Sequence, residues 1–166
     1  MVLMTSSVLL ELLRHKTWAT LEVIELCQRL APEVLDASLP GTYGSIRDTL
    51  RHLLRSDAGY FFTVTGENTG APEDAGLGAL ADSFKQRAGR WEALFQDPTV
   101  TDKDVSTRWG TCKALAPMAQ SIHHADDHRT QVLSILGAQG IEVPDLDVWE
   151  WGSRSGYVHA AATANA

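Results

Sequence analysis

Residues 116–138, APMAQSIHHADDHRTQVLSILGA, carry the pattern that decides the fold. On a helical wheel drawn at about 100° per residue, the apolar side chains gather on one face, formed by Met118, Ile122, Ala125, Val132 and Leu136. Pro117 is tolerated in a first helical turn, and Gly140 follows the pattern as a C-terminal breaker. The stretch therefore predicts an amphipathic helix from about Ala116 to Ala138.

Two stretches nearer the N-terminus show the same periodicity. The first predicted helix runs from about Ser7 to Leu35, and it ends near Pro32 or in Leu39-Pro40-Gly41. The second begins at Ser45-Ile46-Arg47-Asp48, which resembles a capping box, and continues to about Thr65. A glycine follows at position 66, as expected after a helix end.

A third helix is predicted between two loops. It begins near Leu77, after the polar loop 67–76, and is stopped by Asp97-Pro98. Residues 99–115 are expected to form a loop to the fourth helix, and strand patterns are poor throughout. The sequence thus predicts an all-α protein whose simplest architecture is a four-helix bundle. Segment 140–151 is too short and irregular for a fifth core helix, so we expect a short C-terminal extension whose Leu and Trp residues cover one end of the bundle.

Length and composition are those of one globular domain. The chain has 166 residues, of which 44% are hydrophobic and 21% charged. We assign residues 1–155 to a single bundle domain and residues 156–166, with their alanine-rich end, to a disordered tail. There is no apolar run of the roughly 18–20 residues that span a membrane, no basic start typical of a secretory signal, and no Cys-x-x-Cys motif. We therefore expect a cytoplasmic protein without a membrane partner.

The charge balance argues against nucleic acid as a partner. Fourteen basic and 21 acidic residues give a formal net charge of −7, which leaves little basic surface to neutralise phosphates. Arg47, Arg51 and Arg55 form a basic stripe at four-residue spacing. We interpret this stripe as a solvated helix face.

The histidines of the fourth helix have the spacing of a metal-ligand pair. His124 and His128 are four residues apart, which places both imidazoles on one helical face a turn apart. The wheel puts His128 on the flank of the apolar face and His124 just beyond it, whereas His123 lies on the polar face. His52 falls beyond the edge of the apolar band of the second helix, so the wheel permits a ligand role without selecting it. If His52 turns toward the fourth helix, three histidines meet and leave a fourth position for water or substrate.

Asp57 is out of place, because its wheel angle lies near the centre of the apolar stripe of the second helix. A buried carboxylate needs a partner. Asp57 could accept a hydrogen bond from an imidazole N–H or act as a general base, which makes it the candidate catalytic residue. It could equally form a structural pair with Arg129, which also falls on a buried face. The pattern leaves these alternatives open.

Two stretches resemble the DinB/YfiT-like superfamily of four-helix bundles, namely residues 45–57, SIRDTLRHLLRSD, and residues 124–132, HADDHRTQV. Residues 144–149, PDLDVW, look like the usual ending, and the resemblance covers roughly residues 6–155. In this family one histidine of helix two and the paired histidines of helix four bind a divalent metal. The resemblance therefore implies that His52, His124 and His128 are the metal ligands, with zinc or nickel as the expected ion.

The resemblance also implies a class of reaction. Relatives include bacillithiol transferases and the metal-binding domain of mycothiol-dependent maleylpyruvate isomerase, in which the metal activates the thiolate of a small thiol. We expect a metal-dependent S-transferase that uses a small thiol and an electrophilic substrate. A metal-dependent hydrolase and a non-catalytic, stress-related metal-binding bundle are the alternatives, and exposed apolar patches could support a homodimer. A pocket beside the metal would favour an enzyme, whereas a fourth protein ligand would favour a structural ion.

Overall fold

The computed structural model describes residues 7–70, 73 and 75–158. Its four long helices are α1 (Val8–Gln28), α2 (Ile46–Thr65), α3 (Leu77–Gln96) and α4 (Leu115–Ala138). Helix α1 packs against α3 and α4, and α2 packs against the same two helices, most extensively against α4. The predicted four-helix architecture is confirmed. No helix of the described part is long and apolar enough to cross a membrane, and residues 159–166 of the expected tail lie outside that part.

The prediction for the first helix was too long. Helix α1 ends at Gln28, and a separate 3-10 helix follows at Pro32–Asp36. Proline biases the preceding residue toward extended backbone, and Ala31 has φ −61° and ψ 140°. The helical periodicity through Leu35 therefore reflects two helices with a break between them.

The boundaries of α2 agree with the prediction. The Ser45 hydroxyl oxygen accepts a hydrogen bond from the Asp48 backbone N–H at 3.1 Å, which satisfies one of the free donors of the first turn. At the other end Gly66 adopts the left-handed conformation, with φ 78°, that favours glycine after a helix. The two ends set the length of α2 and so place its arginine and histidine residues within the helix.

The expected loop 99–115 contains a short β-hairpin, which the poor strand patterns of the sequence did not indicate. Strands β1 (Asp104–Thr107) and β2 (Gly110–Lys113) are antiparallel, with Asp104 opposite Lys113. Only Val105 of the two strands is buried, where it packs in the core with residues that include Met118. With four residues per strand and one buried side chain, the alternation is too short to recognise in the sequence.

The C-terminal extension also contains a helix, α5 (Val148–Arg154), which corrects the irregular segment expected there. The Asp147 carboxylate caps it by accepting a hydrogen bond from the Glu150 N–H at 2.8 Å. The Trp151 ring packs against Trp18 of α1 with centroids 5.7 Å apart, as expected. Trp149, in contrast, is 76% exposed and does not cover the bundle end.

The core consists of two apolar clusters with a polar layer between them. One cluster lies around Leu50 and Phe84, and the other around Phe61 and Trp91. Between them each long helix contributes one buried charged side chain, namely Lys16, Asp57, Arg87 and Arg129. This layer lies at the level of α4 that also carries His128.

Candidate metal centre

His124 and His128 project from the same face of α4, as their spacing predicts. Their ring centroids are 4.3 Å apart and the rings are nearly perpendicular. His128 is buried, with 7% of its surface exposed, whereas His124 is half-buried. One residue further along, the Arg129 guanidinium donates to Thr20 Oγ1 at 3.1 Å, which attaches this turn of α4 to α1.

Helix α2 places His52 opposite this pair. The centroid of the His52 ring lies 4.9 Å from that of His124 and 4.8 Å from that of His128. One potential ligand atom from each histidine lies within 4.8 Å of the other two. The close packing of α2 against α4 thus brings together the three residues that the family resemblance selected. Among the described residues, no fourth His, Cys, Asp or Glu joins the group.

The donor set fits a divalent cation. The Nε2 atom of His124 is buried and has no hydrogen-bond partner among the described residues. A buried polar atom without a partner is unfavourable by roughly 1–3 kcal/mol. A cation bound by three imidazole nitrogens would supply the missing interaction, and imidazole suits zinc, nickel, copper and iron.

Tyr43 and Gln131 support the histidines, and the sequence patterns did not identify either. The Tyr43 ring stacks on His52 with centroids 4.1 Å apart and meets His128 edge-on. The Gln131 side-chain oxygen accepts a hydrogen bond from the Tyr43 backbone N–H at 2.8 Å and lies 3.3 Å from Nδ1 of His128. Gln131 is three residues after His128, so its helical spacing was a usable signal. Tyr43 lies in a loop and gave none.

A groove of about 420 Å³ opens beside the histidines. Its lining residues are Tyr43, Gly44, Asp48, Arg51, His52 and Arg55. The volume is within the range of small-molecule sites. Three potential ligands beside a groove match the pattern of an open metal site.

The sequence of this bundle matches the DinB family model over residues 4–153. The chain belongs to the DinB family. Membership agrees with the resemblance found in helices two and four, and the three-histidine cluster fits the metal site that this resemblance implied.

Two solved structures share the fold of this DinB protein. YfiT from Bacillus subtilis, described as a probable metal-dependent hydrolase with an unusual four-helix bundle topology, superposes with a TM-score of 0.63 at 14% identity, over 84% of this chain and 93% of YfiT. A DinB-like protein from Bacillus cereus ATCC 10987 gives 0.58 at 16% identity, over 81% of this chain and 94% of that one. At these identities the likeness concerns the fold alone. No curated protein matches the chain.

The electrostatics of the three-histidine cluster favour neutral imidazoles. Burial, together with the neighbouring His128, lowers the pKa of His52 below its ordinary value. The same two causes, with His52 in addition, lower the pKa of His124 to about 4. Neutral imidazole is the form that binds metal. At neutral pH the imidazole lone pairs of His52 and His124 are therefore available to bind a cation.

Asp57, the candidate catalytic residue, lies in the polar layer and not with the histidines. Its Oδ1 accepts hydrogen bonds from Lys16 Nζ at 2.5 Å and Trp91 Nε1 at 3.2 Å, and its Oδ2 accepts one from Arg87 at 3.0 Å. Asp57 is thus a structural ion-pair partner, as one alternative held, but the cations are Lys16 and Arg87. The pair with Arg129 that this alternative named does not form, because Arg129 is directed to Thr20 and pairs with Asp126.

The helical patterns did not predict that Lys16 and Arg87 are buried. Both side chains are almost fully buried, at 0% and 2% exposed. Lys16 Nζ also lies 5.3 Å from the centroid of the Phe84 ring and 5.4 Å from that of Trp91. A wheel that treats every lysine and arginine as exposed cannot find cations held by a carboxylate and aromatic faces.

Proposed function

We propose that this DinB protein is a divalent-metal-dependent enzyme that transfers a small thiol to an electrophilic substrate. His52, His124 and His128 would hold the metal, with zinc or nickel as the resident ion. The observation that carries the proposal is the three-histidine cluster beside the 420 Å³ groove, with no fourth protein ligand among the described residues. A purely structural ion would instead be enclosed by four protein ligands.

A cation held by the three histidines would supply Lewis acidity, which would lower the pKa of a thiol that approaches from the side of the groove. In the proposed reaction the thiol sulfur forms a bond to a carbon of the electrophile. The bond from that carbon to its leaving group breaks, and the leaving group keeps the electron pair. The thiol proton passes to solvent. Gln131 and Tyr43 would orient the histidines that hold the metal. The Gln131 side-chain oxygen faces Nδ1 of His128, and the Tyr43 ring stacks on His52.

The cysteines of the chain are poor candidates for the nucleophile. Cys27 is fully buried in α1, and burial raises the pKa of its thiol to about 11. Cys112 lies on β2 and is not part of the histidine cluster. A thiol nucleophile would therefore come from a cosubstrate.

Hydrolysis is the second candidate. YfiT, which shares the fold, is described as a probable metal-dependent hydrolase, and the open side of the histidine cluster could serve water as well as a thiol. The two candidates differ in the nucleophile, so dependence on an added thiol separates them. For either reaction we propose a small-molecule substrate, a cytoplasmic setting and no nucleic-acid or membrane partner; a homodimer is compatible with both.

Elemental analysis of wild-type protein, His128→Ala and His123→Ala tests the metal site. His123 provides the matched control, because it is adjacent and exposed and pairs with Asp127 instead of joining the cluster. We expect a divalent metal near one equivalent in the wild type and in His123→Ala, and its loss in His128→Ala. No metal in the wild type after incubation with zinc or nickel would overturn the site.

Two assays on the metal-loaded protein then test the chemistry. We expect chlorodinitrobenzene to be consumed only when a small thiol is added, and more slowly in His128→Ala. Hydrolysis of nitrophenyl acetate without thiol, lost in the same variant, would favour the hydrolase. Stoichiometric metal with neither reaction would oppose both enzyme proposals for these substrates.

A further inference from the structure

The groove beside His52 carries more positive charge than the protein as a whole would suggest. The chain has a formal net charge of −7, yet two of the six residues that line the groove are Arg51 and Arg55. Both lie on the same helix as His52, one residue before it and three after it. A ligand that reaches the metal through this groove therefore passes two guanidinium groups.

These arginines differ from the third member of the basic stripe. Arg47 is occupied, since its Nε donates to the Asp36 carboxylate at 3.0 Å and its Nη2 donates to the Pro32 carbonyl. Arg51 and Arg55 each donate one hydrogen bond to a backbone carbonyl, of Ala75 and Glu73 respectively. Neither has an acidic side-chain partner among residues 7–70, 73 and 75–158.

The free donors are suited to an oxyanion. A guanidinium has five N–H donors, so a single carbonyl contact leaves most of them available. The backbone contacts of Arg51 and Arg55 also reduce the freedom of both side chains, and pre-organisation favours binding. Asp48 lines the same groove, which leaves a formal charge of +1 among the lining residues when His52 is neutral. That balance favours one carboxylate over a doubly charged phosphate.

We propose that Arg51 and Arg55 form a binding subsite for a carboxylate on the small molecule whose other end reaches the three histidines. This inference rests on the proposed function and narrows its substrate class to carboxylate-bearing thiols or electrophiles. Arginine binds a planar carboxylate through paired N–H donors, which gives orientation as well as affinity. The subsite would hold the substrate along the groove with its reacting end toward His52.

Thiol titration of the cobalt-loaded protein measures this preference. The probes are 3-mercaptopropionate and the neutral 2-mercaptoethanol, and the signal is the sulfur-to-metal charge-transfer absorption. We expect the carboxylate thiol to bind about tenfold more tightly, in line with one charge-assisted hydrogen-bonded pair. The double variant Arg51→Gln/Arg55→Gln should bring the ratio close to one without changing metal content or the affinity for 2-mercaptoethanol. Arg47 does not line the groove, so Arg47→Gln should keep the preference for the carboxylate thiol.

A second measurement tests the subsite independently of thiol chemistry. In zinc-loaded protein labelled with ¹⁵N, propionate should shift the Nε–H resonances of Arg51 and Arg55, assigned from the single glutamine variants, and leave that of Arg47 in place. Absence of these shifts, or larger shifts with phosphate than with propionate, would overturn the carboxylate subsite. If propionate shifts both resonances but neither thiol gives a charge-transfer band, the subsite stands and the thiol-transfer proposal fails.

Discussion

The side-chain oxygen of Gln131 lies 3.3 Å from Nδ1 of His128, one turn earlier on α4. The same oxygen accepts a hydrogen bond from the backbone N–H of Tyr43 at 2.8 Å, which holds it in position as an acceptor. An acceptor at Nδ1 favours the tautomer that carries its proton there. The lone pair of Nε2 would then be available for a metal, so we expect Gln131 to orient His128 and to select its ligand atom.

Replacing Gln131 should weaken metal binding without removing a ligand. Gln131→Leu removes the acceptor, so His128 can rotate and change tautomer, and we expect metal affinity to fall about 10–100-fold. Gln131→Glu keeps an acceptor oxygen at the same distance along the side chain and should retain most of the affinity. Competition with a chromophoric chelator measures both, and Gln139→Leu, near the C-terminal end of α4, is the control. Equal affinities in Gln131→Leu and wild type would show that another group orients His128.

Asp57 should matter for stability and not for metal binding. Asp57→Ala leaves Lys16 and Arg87 buried without their carboxylate, and breaking a buried ion pair in this way destabilises a fold by about 3–5 kcal/mol. Urea denaturation measures the loss. Asp36→Ala, which removes the partly exposed pair with Arg47, should have an effect below about 1 kcal/mol.

The metal content of Asp57 variants separates this role from catalysis. Folded Asp57→Ala and Asp57→Asn should each keep the metal content of the wild type, because no histidine of the cluster bonds to Asp57. If Asp57→Asn instead kept wild-type stability and lost activity on saturating substrate, the carboxylate would have a part in the chemistry.

Native Cys27 should be unreactive. Burial raises its pKa to about 11, so little thiolate forms at mildly alkaline pH, and the side chain is inaccessible. A disulfide reagent should therefore modify only the half-buried Cys112 in the folded protein and both thiols after denaturation. Counting modified thiols in wild type and Cys112→Ser checks this. Rapid modification of folded Cys112→Ser would contradict the buried environment of Cys27.

The positions of three of the four long helices could be predicted from the sequence within a few residues, because amphipathic periodicity and local breakers determine them. Ser45 and Gly66 act through their own backbone neighbourhood, so both ends of α2 were predictable. The hairpin was not, since its only buried residue, Val105, depends on contacts with distant parts of the chain. The burial of Asp57 was likewise predictable from its wheel angle. Its partners were not, because they depend on how three helices align.

The candidate site was predictable to a similar degree. The spacing of His124 and His128 is a property of one helix, and together with the helical wheel it favoured this pair as ligands. His52 joins them only because α2 packs against α4 with a particular rotation, which a single helical wheel does not contain. The resemblance to the DinB/YfiT-like superfamily selected His52 as a ligand without giving that rotation. The contact of Tyr43 with His52 depends on the path of a loop, for which no periodic signal exists.

The metal-free protein should lose stability as the pH falls through the titration range of His124. Burial and the neighbouring His128 lower the folded-state pKa of His124 to about 4, whereas its ordinary value is 6.5. Between these values the unfolded chain takes up a proton that the folded chain does not, so unfolding becomes more favourable as pH decreases. Above about pH 6.5 this contribution is constant. Thermal unfolding of chelator-treated protein across this range should show a falling Tm.

Comparison with variants assigns the pH effect to the cluster, because protonation of carboxylates also destabilises proteins in acid. His124→Gln cannot take up the proton and should show a shallower decrease of Tm between about pH 6.5 and 4. His123→Gln, which changes an exposed histidine on the same helix, should retain the wild-type slope. Equal slopes in all three proteins would contradict the lowered pKa of His124, since the unfolded state would then gain no extra proton at this position.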